Sequence, residues 1–305
     1  MSDDLNLKTE MEFAYGMPSP MAPGVVRLVA NNASKLTFKG TNTYLIGSAS
    51  LAVIDPGPED REHKEAILKA AQDRPISHIV ITHAHRDHVE GVAALKAETG
   101  AKVFAFGRTP DTDGTDSADH AGSEEFTDHA FTPDVGLADG DRIAGEDWEL
   151  TALHTPGHAP DHLCFALAGH GVVFSGDHVM AWNTSVIAPP EGRMADYLRS
   201  LEKLLERDDS VFLPGHGGRI IAPRRTVRAY LLHRRWREQA ILDAVRQGKN
   251  TIRKLVPAIY RDLDEDIVGV ATLSLRAHVE HLVERGLIVC DDVANVDCAL
   301  VFSSP

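Results

Sequence analysis

Ile79-Val80-Ile81-Thr82-His83-Ala84-His85-Arg86-Asp87-His88-Val89-Glu90-Gly91 places three histidines and an aspartate within six residues, directly after a β-branched apolar run. The run at Val80 and Ile81 predicts a buried strand, and Val89–Ala97 predicts the start of a helix. His83 and His85 are two apart, so in an extended chain both imidazoles point to the same side. Asp87 and His88 then fall in the turn, within reach of a second point a few ångströms away. Neutral imidazoles with a carboxylate suit Zn²⁺, with Fe or Mn as alternatives. A chance cluster in a surface loop is the bland alternative, and the strand before and helix after weigh against it.

One ion cannot use all four groups and keep an open position, so further ligands are expected downstream. Three candidates each end a Gly-containing turn after an apolar run: His158 in LHTPGH, Asp177 in VVFSGD and His216 in VFLPGH. Glycine lets the backbone turn sharply and pass close to a metal with no Cβ in the way.

With the order HxHxDH, His, Asp, His, the chain resembles the metallo-β-lactamase superfamily over Gly40 to Gly218. The resemblance includes GTNTYLI (Gly40–Ile46) and VIDPG (Val53–Gly57). It implies an α/β fold, an αββα sandwich with two divalent metals at one edge. His83, His85 and His158 would hold the first metal and Asp87, His88 and His216 the second, with Asp177 bridging. Asp55 would be a buried hydrogen-bonding prop. The implied activity is metal-dependent hydrolysis by a bridging hydroxide. Asp87 and Asp177 are its catalytic residues, Asp87 orienting the hydroxide and Asp177 fixing the metal separation. No independent general acid stands out, so metal-bound water is the expected proton source for the leaving group.

The 305 residues suffice for one large domain and a small one. No basic region followed by an apolar run opens the chain, and no stretch approaches twenty apolar residues. Three cysteines, Cys164, Cys290 and Cys298, show neither CxxC spacing nor an even count. Together these point to a cytoplasmic protein without a membrane. The net charge of −14 is unevenly spread. Residues 1–221 carry 18 Lys and Arg against 34 Asp and Glu, whereas residues 222–305 carry 13 against 11. Such an acidic first part is not built to attract phosphate backbones over its whole face.

Residues 1–23 read as a polar arm across the surface. Val25–Leu28, Leu36–Phe38, Thr43–Ile46 and Leu51–Ile54 read as short strands, Asp60–Ala71 as an amphipathic helix and Lys102–Phe106 as a strand. Residues 111–129, rich in Asp, Ser and Gly, read as a solvated loop or an acidic lid. His120 and His129 near it are not expected to be ligands. Strands return over Ile143–Phe174. His162 is a strand-end histidine or a donor behind the metal site, and His178 should face away from what Asp177 holds. Trp182–Glu191 reads as a loop walling the substrate, and Asp196–Glu206 as a helix.

Pro223–Ala244 reads as a long helix with Pro at its start. Its Arg234, Arg235, Trp236 and Arg237 are either a nucleic-acid patch or the charged face of a connecting helix. Further helices at Ile252–Tyr260, capped by Thr251, and within Asp266–Glu284 precede strands at Leu287–Cys290 and Ala299–Phe302. This tail and the stretch from His233 to Glu238 resemble the β-lactamase-like protein 2 branch of the superfamily. The expected division is a catalytic domain over 1–221 and a linker helix with a winged-helix-like α+β domain over 222–305. A small-molecule ester, thioester or lactone is the expected substrate. Single-stranded RNA is the alternative, since some members of that branch cut it, and a true β-lactamase or a non-enzymatic metal-binding protein ranks behind both. A homodimer remains open.

Overall fold

Runs of β-branched and aromatic residues, cut by Gly and Pro, form two facing sheets. The computed structural model describes residue 5 and residues 7–107, 126–260 and 263–303. The first part comprises β1 (Ser19–Ala22), β2 (Val25–Val29), β3 (Asn42–Ile46), β4 (Leu51–Ile54), α1 (Arg61–Ala71) and β5 (Ile76–Val80). It continues through α2 (Arg86–Val89), α3 (Val92–Thr99), β6 (Lys102–Phe106) and β7 (Val135–Leu137). The seven strands form one sheet in sequence order, antiparallel through β4 and parallel from β4 to β7.

The second sheet has the order β12-β11-β10-β9-β8, from β8 (Arg142–Ala144), β9 (Glu149–His154), β10 (Leu163–Leu167), β11 (Val172–Gly176) and β12 (Val211–Pro214). Only its β11–β12 pair is parallel. Tyr44, Ile54, Val80 and Phe104 meet Leu150, Phe165, Phe174 and Leu213 between the sheets. The outer face of the first sheet packs Val53, Ile79 and Val103 against Ile67 of α1 and Leu95 of α3. The outer face of the second packs Val173 and Phe212 against α4 (Met194–Leu205) and α5 (Pro223–Arg246). Each strand buried on both faces needs helices outside, and the result is the expected αββα layering.

Three local readings change. Leu36–Phe38 is a turn, not a strand, and Phe38 takes a positive φ of 58° that no strand allows. The helix expected from Val89 starts earlier, at Arg86, and breaks at Gly91, so Asp87 and His88 sit in a short helix rather than a bare turn. The N-terminal arm is partly structured, since its Ser19–Ala22 adds an edge strand. Residues 111–125, including His120, lie outside the described residues.

The remaining chain forms α6 (Ile252–Ile259), α7 (Val268–Glu284), β13 (Ile288–Val289) and β14 (Val301–Phe302). The Thr251 hydroxyl caps α6 by accepting from Lys254 N, as its position predicts. Ile241, Val245, Leu255, Leu275, Leu282 and Leu300 make a separate core there. α5 serves both cores, with Val227 and Tyr230 in the catalytic one and Ile241 and Ala244 in the C-terminal one. No helix among the described residues is long and apolar enough to cross a membrane.

At the junction Glu238 of α5 is buried and accepts from His281 Nδ1 of α7 at 2.6 Å and from Nη1 of Arg285, just past the end of α7, at 2.7 Å. Burial opposes its charge, but His278 and His281 outweigh that and hold the carboxyl at about 2. A depressed carboxylate adds stability above its ordinary value of 4.5 that is lost as pH falls through about 2. Glu238→Ala should therefore cost about 3 kcal/mol at neutral pH, and the gap should close in melting curves taken towards pH 2.

Candidate metal centre

The ends of β3, β4, β5, β11 and β12 and the turn after β9 meet at one edge of the sandwich, and the seven expected side chains converge there. Their ligand atoms fall into three overlapping groups: His83, His85 and His158; Asp87, His88 and His216; and His83, His88 and Asp177. Within each group all atoms lie within 4.8 Å of one another. Asp177 Oδ2 stands between the first two groups, 3.8 Å from His158 Nε2, 3.7 Å from His88 Nε2 and 3.2 Å from His216 Nε2.

The outward nitrogens decide what the inward ones offer. His88 Nδ1 donates to Asp55 Oδ2 at 2.8 Å, His158 Nδ1 to Val186 O at 2.6 Å and His216 Nδ1 to Gly40 O at 3.2 Å. The Thr82 hydroxyl donates to Asp55 Oδ2 at 2.7 Å, so it accepts from His83 Nδ1 at 2.9 Å. Each of these four rings, whenever it is neutral, then turns an Nε2 lone pair inward. His85 instead turns Nδ1 inward, 2.9 Å from His83 Nε2 and 3.1 Å from His158 Nε2. That nitrogen can donate to only one of the two. Lone pairs crowded this way are satisfied by a cation. His88 Nε2 and Asp177 Oδ1 are moreover buried with no hydrogen-bond partner. The donor set therefore fits divalent metal.

Electrostatics agree. Burial pushes His85 down to about 3 and also lowers His83 and His158, so these rings are neutral at pH 7, the form in which an imidazole can bind a metal. Burial opposes charge on Asp87 and Asp177 too, but the neighbouring His88 and His216 hold both well below the usual carboxylate range. Without a cation, Asp177 and Asp87 overcome burial and lift His216 to about 10. A proton there does part of the work that a metal charge would do.

Several supporting residues lie outside the ligand motifs. Thr41 Oγ1 donates to Asp87 Oδ2 at 2.8 Å and receives Asn32 Nδ2 at 2.9 Å. Thr41 belongs to GTNTYLI, so a signal for it existed, whereas nothing in the sequence marks Asn32. His162 is fully buried behind the site: its Nε2 accepts from Asp177 N at 3.1 Å while Nδ1 donates to Thr155 Oγ1 at 2.9 Å. His162 thus sits behind the metal site, but towards it the ring accepts instead of donating as the second reading expected. His178 packs on Tyr197 with ring centroids 4.6 Å apart and joins no ligand group.

The pocket over this edge holds about 860 Å³ including its open mouth. Val186, Ala188, Pro189 and Glu191 of the expected substrate loop line it, as do Leu36 and Thr37 from the turn read as a strand. Val270 and Leu273 of α7 close another side, so the C-terminal domain shapes the pocket. Glu191 is held by Thr127 Oγ1 at 2.7 Å, and His129 Nε2 lies 3.3 Å from it.

The arginine cluster on α5 is mostly spent internally. Arg234 is buried, donates to Ser185 O at 2.6 Å and covers the Tyr197 ring. Arg237 lies over Tyr260 at 4.3 Å and donates to Ile259 O. Arg235 and Trp236 remain exposed.

Fold and site define a metallohydrolase, and sequence comparison gives the same class. The profile of the metallo-β-lactamase superfamily matches residues 36–216, more than half of the chain, and that of the β-lactamase associated winged helix domain matches residues 251–293. The chain belongs to the metallo-β-lactamase superfamily. It is 33% identical over 278 residues to the β-lactamase-like protein 2 homolog of Drosophila melanogaster, covering 87% of this chain and 90% of that one. It is 30% identical over 264 residues to the atrochrysone carboxyl ACP thioesterase AgnL7 of Paecilomyces divaricatus, covering 82% and 76%. A β-lactamase domain protein from Burkholderia ambifaria shares the fold with a TM-score of 0.78 at 20% identity, over 97% of this chain and 96% of that one.

Gly215 sets a limit on volume at the site. A Cβ there would lie 2.3 Å from Asp177 Oδ1 and 2.8 Å from His88 Cε1, whereas at Gly218 the nearest atom is 3.9 Å away. Gly215→Ala should lower metal affinity about 10- to 100-fold by displacing these groups. Gly218→Ala should leave it unchanged, both read by metal analysis after dialysis against graded chelator.

Proposed function

We propose that this hydrolase acts on a small, largely apolar ester, thioester or lactone at a site holding two divalent cations. Zinc is the expected metal, with iron or manganese as alternatives. The observation that carries the reading is the pocket wall. Leu36, Phe126, Met180, Val186, Val270 and Leu273 are apolar, and no Lys or Arg lines the pocket among the described residues. Such a wall favours an acyl chain and offers nothing to neutralise a run of phosphates. A relative named as an ACP thioesterase is consistent with it. The endoribonuclease reading loses support because Arg234 and Arg237 are engaged inside the protein.

When bound, divalent ions supply Lewis acidity, lowering the pKa of water towards neutrality and polarising a carbonyl. His83, His85 and His158 would hold one ion and Asp87, His88 and His216 the other. Asp177, held through its backbone by His162, would fix their separation. Asp87, pinned by Thr41 and lining the pocket, would orient the attacking water. The α7 wall would position the acyl group and exclude bulk water.

Asp177→Asn and His85→Ala should lose metal and about a thousandfold in kcat/KM together, several kcal/mol at 1.4 per tenfold. Full turnover in either, unaffected by chelator, would overturn the assignment. Leu273→Ala should raise KM for long acyl substrates about tenfold and leave short ones nearly unchanged. In a screen of thioesters, lactones, phosphodiesters and single-stranded RNA, the cleaved substrate should be an acyl compound whose KM ignores added salt. Steeply salt-dependent RNA cleavage would decide for the alternative.

A further inference from the structure

Away from the metal centre, the hairpin at the end of the chain brings two thiols together. Cys290 directly follows β13, and Cys298 lies three residues before β14, eight positions on in sequence. The Cys290 thiol donates to Cys298 Sγ at 2.7 Å. The pair is fixed by its surroundings. Asp297 clamps Arg253 of α6 with contacts of 2.6 and 2.8 Å, Arg253 N donates to Val296 O at 3.0 Å, and Leu300 N donates to Asn250 O at 2.8 Å. Both cysteines are partly exposed, so a small reagent can reach them, while Cys164 is buried in β10.

We propose that Cys290 and Cys298 are a redox modification site, closed into an intramolecular disulfide by exchange with a low-molecular-weight disulfide such as oxidised glutathione. Cys298 is the attacking group. The hydrogen bonds from Cys290 and from Asp292 N favour its thiolate and lower its pKa, whereas burial first and the Cys298 neighbour second push Cys290 up to about 11. The Cys298 thiolate attacks one sulfur of oxidised glutathione, expelling a glutathione thiolate and leaving a mixed disulfide. Cys290 then gives its proton to solvent, and its sulfur attacks Cys298 Sγ and displaces the second glutathione thiolate. Two electrons pass from the protein sulfurs to the two glutathiones, and two protons leave the chain. The product ties β13 to the loop that grips α6.

The full-length, metal-loaded protein incubated with oxidised glutathione and quenched by alkylation tests this. Intact mass should fall by two hydrogens per chain, and peptide mapping should link residues 290 and 298. Dithiothreitol should reverse the link. Cys164, whose thiol burial pushes up to about 12, should be alkylated only after denaturation. Cys290→Ser should stop at a glutathione adduct on Cys298. A wild-type protein that keeps both thiols free, or that collects an adduct at Cys298 without closing, would overturn the proposal.

Discussion

The site depends first on one buried carboxylate. Asp55, at the end of β4, accepts from Thr82 N at 2.8 Å, from the Thr82 hydroxyl and from His88 Nδ1. It does so with a φ of 50°, a left-handed conformation that aspartate tolerates better than most residues. Through these bonds the ends of β4 and β5 are locked at a fixed offset. Thr82 passes the constraint on to His83, and His88 receives it directly. A rotation of this carboxylate would misplace His83 and His88, and with them all three groups of side chains able to hold a metal.

Around that anchor, burial makes every outward nitrogen a structural commitment. A buried imidazole with an idle nitrogen is costly, and His83, His88, His158 and His216 each find a carbonyl, hydroxyl or carboxylate behind them. Those acceptors come from loops that are themselves braced. Ser185 Oγ lies between the Asp177 and His178 carbonyls and donates its one proton to either, Arg234 donates to Ser185 O, and the Tyr230 hydroxyl donates to Met180 O. The helix α5 thereby supports the segment from Asp177 to Val186, which carries one candidate ligand and the carbonyl that accepts from His158.

The seven side chains that converge at the edge were legible because metal-binding chemistry leaves little freedom. Histidines two apart just beyond β5, taken together with His or Asp after Pro-Gly and Ser-Gly turns, make a combination that few other needs produce. The alternation of strands and helices pointed to an α/β sheet, while the αββα layering was what the family resemblance implied. Leu36–Phe38 misled because three residues with apolar ends satisfy a strand pattern while the backbone turns at Phe38. The short helix at Arg86 was hidden because it contributes only four residues before Gly91. Arg234 could be read as a nucleic-acid contact since sequence reveals a charge but not the carbonyl and aromatic ring that absorb it. The contribution of Val270 and Leu273 to the pocket depends on how two domains pack, and no local pattern carries that.

α5 belongs to two hydrophobic cores at once, and this limits how modular the chain can be. Excising the C-terminal domain would strip one wall from the pocket and bare the far half of a helix whose near half steadies the metal loop. Exchanging it for an unrelated module would meet the same obstacle. Divergence among relatives in substrate preference can therefore arise from changes in α7, without any change in the ligands themselves.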